Sequence, residues 1–84
     1  MDPDLHRRVI ELAAKHGGVD PNQVTPEHHF TSDLNYDSLS AIEFAMDVED
    51  AFHIAVPDEQ MQQLQTVGQA IKYVELEVSR LAAK

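Results

Sequence analysis

The sequence predicts an all-α fold, a small antiparallel four-helix bundle with a long first loop and a short third helix. Two observations carry this. Apolar residues recur at helical spacing in three separate stretches, and the breaks between them hold Gly17-Gly18, Pro21, Pro26 and Pro57. No stretch alternates apolar and polar long enough for a strand: Ile54-Ala55-Val56 is too short and has no evident pairing partner. At 84 residues the chain makes one domain, 1–84, burying roughly 60 to 65% of its unfolded surface.

The elements follow in order. Asp2-Pro3 reads as an N-cap with proline in the first turn, and Leu5, Val9, Leu12 and Ala13 continue a helix to about Lys15. Gly17-Gly18 supplies a left-handed exit. Val19 to Ser32 forms the long loop, which Val24 and Phe30 are expected to pin to the core. The second helix begins near Ser38, one step after an N-capping Asp37. Its apolar residues exceed one stripe. Phe44, Val48 and Phe52, at i, i+4 and i+8, are assigned to the core, leaving Leu39, Ile42 and Met46 on a second face beside Glu43, Asp47 and Asp50. Pro57-Asp58 restarts the chain, and Met61 with Leu64 suggests one or two helical turns. Thr66-Val67-Gly68-Gln69 matches a capping box, and Val67, Ala70, Ile71, Val74, Val78 and Leu81 mark the last helix.

Fifteen acidic against six basic residues give a formal charge of -9, which argues against nucleic acid as a partner. No Lys or Arg lies between Lys15 and Lys72, whereas ten Asp and Glu residues do. Such a field suits partners with basic surfaces. There is no cysteine, so any reactive thiol must be imported. No apolar run reaches transmembrane length and no secretory signal pattern is read, so a monomeric, cytoplasmic protein without membrane insertion is expected.

Three chemical readings compete at Asp33 to Ser40. Asp33, Asn35 and Asp37 stand at positions 1, 3 and 5 of a calcium-loop series, yet position 6 is Ser38 instead of glycine and position 12 is Phe44 instead of a bidentate glutamate. A hydrolytic Ser38 would need a nucleophile elbow and a buried triad, and neither is legible, so no catalytic residue is assigned. His28-His29 lacks a suitably spaced third ligand, so no metal site is assigned. His53, near the end of helix two, is expected to interact with the helix dipole and Asp50. The remaining reading makes Ser38 an anchor for an anionic group, because unpaired N–H groups and the helix dipole at that position favour negative charge by about 0.3–1 kcal/mol.

Asp33-Leu34 followed by Asp37-Ser38-Leu39 resembles the attachment motif of acyl carrier proteins. The likeness extends through Val19 to Leu34, Glu43 to Phe52, Val56-Pro57-Asp58-Glu59 and Thr66-Val67-Gly68, covering nearly the whole chain. The resemblance implies a non-enzymatic carrier. Ser38, flanked by Asp37 and Leu39, would bear 4'-phosphopantetheine derived from coenzyme A, with acyl groups held on its thiol as thioesters. It also implies a phosphopantetheinyl transferase and acyl-handling enzymes with basic docking surfaces as partners. These would meet Leu39, Ile42, Glu43, Met46, Asp47, Glu49 and Asp50. Fatty-acid, polyketide or related lipid biosynthesis is the expected setting. Asn35-Tyr36 stands where many fatty-acid carriers have glycine and a small or acidic residue, and the segment Gln60, Gln62, Gln63 is poor in charge, which points to a specialised carrier. Asn35 can adopt the left-handed turn, and Tyr36 is expected to shape how an acyl chain or partner approaches. The alternative is a non-enzymatic acidic helical adaptor that uses Ser38 only as a helix cap.

Overall fold

The computed structural model describes residues 3–82, which form four helices: α1 (Pro3–Gly17), α2 (Ser38–Phe52), α3 (Asp58–Gln63) and α4 (Val67–Ala82). The expected N-cap at Asp2 lies outside the described residues. α1 packs against both α2 and α4, and the short α3 leans on α2. Leu5, Val9 and Ala13, one helical turn apart, are buried along α1, facing Phe44, Ala45 and Val48 of α2 and Val67, Ala70, Ile71 and Val74 of α4.

Helix ends follow the residue chemistry. α1 runs two residues further than expected, through Gly17, and Gly18 takes the left-handed position at φ 68°. The Val19 N–H then donates to the Ala14 carbonyl (3.1 Å), closing the helix in a Schellman turn. α4 opens on the capping box: the Gln69 N–H donates to Thr66 Oγ1 (3.2 Å), and Gln69 Oε1 accepts from the N–H groups of Gln65 and Thr66. Leu81, expected on the apolar stripe, is 46% exposed, in the last turn of α4.

The first loop is more ordered than its length suggested. It contains a 3-10 turn, Pro21–Gln23, capped by the Asp20 carboxylate. It is also stitched to the start of α4 by Phe30 N–H to Gln65 O (3.0 Å), Val67 N–H to His28 O (3.0 Å) and Gly68 N–H to Pro26 O (2.8 Å). A Cβ at Gly68 would fall 2.9 Å from that Pro26 oxygen, so glycine permits the approach. His29 and Thr66 form an isolated antiparallel bridge, the only β pairing among the described residues. Val24 and Phe30 are buried, as expected of loop anchors.

Two core assignments change. Phe52 is only half-buried, because it lies at the last turn of α2 under the Arg8 guanidinium, 4.7 Å from its ring centroid, while Arg8 Nη2 donates to Ala51 O (3.1 Å). Tyr36, expected to stand beside the attachment point, instead points inward at 6% exposure. Its hydroxyl donates to the Ala13 carbonyl at 2.7 Å, and its ring meets Phe30 (5.0 Å) and Phe44 (6.0 Å). His53 caps α2 through its backbone, left-handed at φ 57° with its N–H on Glu49 O; among the described residues its imidazole makes no ion pair with Asp50.

Candidate functional site: the start of α2

The site is made by a chain reversal. Asn35 adopts φ 57°, the left-handed conformation an asparagine tolerates. Burial alternates through this segment, with Leu34 and Tyr36 buried and Asn35 and Asp37 exposed, and Ser38, which follows, is exposed too. Asp37 is the N-cap; its Oδ1 accepts the Ser40 N–H (2.8 Å) and its carbonyl accepts the Ala41 N–H (3.1 Å). That hydrogen bond holds the Asp37 carboxyl below the ordinary carboxylate value. Ser38 is the first residue of α2, and no hydrogen bond of its hydroxyl is found among the described residues. The capping role that the adaptor reading gives Ser38 therefore belongs to Asp37.

Two polar side chains of the preceding loop are committed to its backbone. Asp33 Oδ2 accepts the His29 N–H (2.7 Å), which lowers its pKa, and His28 Nδ1 accepts the Thr25 N–H (3.1 Å). Among the described residues no group of three or more His, Asp or Glu is placed to hold a metal.

Beside Ser38 an open groove of about 640 Å³ runs between the first turns of α2 and α3. Ala41, Ile42, Met61 and Leu64 give it apolar walls, Phe30 and Tyr36 line its inner side, and Gln62 and Gln65 sit at the rim. The groove itself was not legible in the sequence. Its signal was present only as the i, i+3 pair Met61 and Leu64.

The outer face of α2 sorts by helical angle. At about 100° per residue, Leu39, Ile42, Glu43, Met46 and Asp50 fall within about 100° of arc. All five are exposed, with Leu39 at 64%, Ile42 at 44% and Met46 at 57%. Asp47 and Glu49 lie about 80° to either side, and both carboxylates turn to partners within the chain. Asp47 Oδ2 is 2.6 Å from His16 Nε2 and 3.5 Å from Lys15 Nζ, so it ties α2 to the end of α1. Glu49 Oε2 accepts the Val56 N–H (2.8 Å) in the turn leading to α3. The helical pattern put six of the expected docking residues on one face, and the resemblance added Glu49; the structure divides the seven into five that face outward and two, Asp47 and Glu49, that brace the edges.

His16, and then Lys15, hold the Asp47 carboxyl below its ordinary value of 3.8. A depressed folded-state pKa adds stability that is fully present above the unfolded value and is lost as pH falls through the folded one. The stability gap between wild type and Asp47→Asn is therefore expected to narrow as pH falls from about 5 to about 3. Paired thermal melts across that range check it; a gap undiminished at about pH 3 would remove the ion pair as its cause.

Residues 7–74 match the family described as phosphopantetheine attachment site. Among solved structures, an acyl carrier protein from Enterococcus faecalis is similar at 31% identity and a TM-score of 0.74, covering 88% of this chain and 94% of that one. A free-standing peptidyl carrier protein from Acinetobacter baumannii, of an uncharacterized secondary metabolic pathway, is similar at 25% identity and a TM-score of 0.75, covering 87% and 90%. The family match spans α1 to the middle of α4 and includes the exposed serine at the start of α2, so the chain belongs to the acyl carrier protein family, non-enzymatic proteins to which 4'-phosphopantetheine is covalently attached.

Proposed function

We propose that Ser38 is the attachment residue, and that this protein carries acyl intermediates for fatty-acid, polyketide or related lipid biosynthetic enzymes in the cytoplasm. The observation that carries the reading is the hydroxyl itself: exposed, without a hydrogen bond among the described residues, and set at a helix start beside an apolar groove. The residues present fit the group. Asp37, Ser38 and Leu39 are all exposed, which leaves the serine open to solvent, and the positive end of the helix dipole favours the charge of a phosphoester there. When bound, the group supplies a terminal thiol on a flexible arm, to which acyl groups join as thioesters.

The chain's own contribution is placement. Asp37 fixes the first turn of α2, Ser38 presents its oxygen to solvent, and the groove walls Ala41, Ile42, Met61 and Leu64 offer apolar cover to an acyl chain. Greater identity to the acyl carrier than to the peptidyl one, over similar spans, supports acyl cargo. The test is co-expression with a broad-specificity phosphopantetheinyl transferase, followed by intact mass and fragmentation. A gain of one phosphopantetheinyl group on the peptide containing Ser38 is expected; an unmodified protein, or modification elsewhere, overturns the assignment.

On this reading, the transferase and the acyl-handling enzymes approach the outer face of α2, where Glu43 and Asp50 attract basic partners and Leu39, Ile42 and Met46 pack against them. Glu43→Lys with Asp50→Lys is expected to raise the KM for modification about tenfold at low salt, with the helical circular dichroism unchanged. The effect should shrink as salt rises. Equal KM values at low salt would move docking to another surface.

A further inference from the structure

Ser38 is exposed and its hydroxyl makes no hydrogen bond among the described residues, so the place of its oxygen follows from the backbone of residues 36–38. Three of the bonds that hold that backbone place it in the fold. The Tyr36 N–H donates to Phe30 O (2.8 Å) and Asp37 Oδ1 accepts from Ser40 (2.8 Å), both within the loop and α2. The third, Tyr36 hydroxyl to Ala13 O at 2.7 Å, crosses to α1.

We infer that Tyr36 is a positioning residue for the modification of Ser38, a strut that references the attachment oxygen to the end of α1. The inference rests on Ser38 being the attachment residue. The ring is confined on several sides. Phe30 and Phe44 flank it, and the backbone of α1 at Gly17 comes close enough that even an added Cβ there would stand in ordinary contact, 3.5 Å, with Tyr36 Cε1. Burial, and then the negative charge of Asp47, push the Tyr36 hydroxyl above the ordinary tyrosine value, so it stays a protonated donor across the working pH range. Ala13 sits one turn from the end of α1, where the His16–Asp47 pair ties the same two helices. The strut therefore bears on a braced support.

Position matters because of the chemistry that the transferase performs on this oxygen. A bond forms between Ser38 Oγ and the phosphorus that carries pantetheine in coenzyme A, the pyrophosphate P–O bond breaks, adenosine bisphosphate leaves, and the hydroxyl proton goes to a base of the transferase. Such a displacement needs near-linear alignment, and a misplacement of about 1 Å costs up to about a hundredfold in rate. Docking on the outer face of α2 is a separate matter, so a loosened Tyr36 should affect turnover and leave recognition alone.

Tyr36→Phe deletes the hydroxyl and keeps the ring. The matched control is Tyr73→Phe, which removes another tyrosine-to-carbonyl hydrogen bond of 2.7 Å, to Ala55 O, far along the chain from Ser38. With a broad-specificity phosphopantetheinyl transferase and coenzyme A, Tyr36→Phe is expected to lower kcat about tenfold with KM within about twofold, while Tyr73→Phe changes neither. Amide hydrogen exchange of Ser38 to Ser40 in the unmodified protein should quicken in Tyr36→Phe alone. A Tyr36→Phe protein with wild-type kcat, or one in which both variants lose rate in proportion to their melting temperatures, overturns the positioning role. A wild type that accepts no phosphopantetheine overturns the attachment reading itself, and the two failures are distinct.

Discussion

Replacing Ser38 with alanine is expected to abolish phosphopantetheinylation completely while shifting stability by no more than about 0.5 kcal/mol. The two halves of this prediction come from separate features of one residue. Chemically, the transfer needs an oxygen nucleophile, and alanine has none. Structurally, Ser38 is exposed, its hydroxyl makes no hydrogen bond among the described residues, and the cap of α2 is provided by Asp37. Alanine is also the better helix former, by a few tenths of a kcal/mol in a helix interior. Asp37→Ala gives the informative contrast. It removes the acceptor of the Ser40 N–H, so a loss of about 1 kcal/mol is expected with the nucleophile still in place. If Ser38→Ala unfolded the protein, the serine would be a structural residue after all and the loss of modification would say nothing about attachment. Intact mass and urea unfolding on the same preparations separate these outcomes.

How legible the molecule was depends on the range of the interactions involved. Features set by neighbours in sequence were readable: the capping box at Thr66 and Gln69, the left-handed Gly18 and Asn35, the cap at Asp37, and the split of α2 into an inner face around Phe44 and Val48 and an outer one around Leu39 and Met46. Each follows from one or two turns of backbone. Features set across the fold were not. Tyr36 could be placed close to Ser38 along the chain, but its direction is decided by the Ala13 carbonyl 23 residues earlier and by the rings of Phe30 and Phe44. Asp47 and Glu49 have the composition of docking residues, and only the approach of His16 and of the Val56 backbone reveals that their carboxylates are engaged. The groove required α3 to be placed against α2, and six residues of weak helical signal do not specify that placement.

Phe44→Ala should be the most damaging single change to the fold. Phe44 is 2% exposed, on the inner face of α2, with Phe30 and Tyr36 at ring-centroid distances of 5.3 Å and 6.0 Å. Its ring is therefore where the first loop, the segment before Ser38 and α2 meet. Truncation of a buried phenylalanine costs about 3–5 kcal/mol in lost transfer energy and residual cavity. A domain of 84 residues has about 4–13 kcal/mol in total, so the variant should be largely unfolded at 37 °C or melt far below the wild type. Phe44→Leu keeps most of the volume and is expected to lose only about 1–1.5 kcal/mol. The site should respond as well, since Tyr36 leans on Phe44: Phe44→Leu, still folded, ought to be modified more slowly than its stability loss alone requires. Urea unfolding followed by circular dichroism, with modification rates measured well below the melting point, decides the matter. A Phe44→Ala protein that unfolds cooperatively near the wild-type midpoint would mean that the aromatic cluster is not the centre of this core, and the strut assigned to Tyr36 would lose its support.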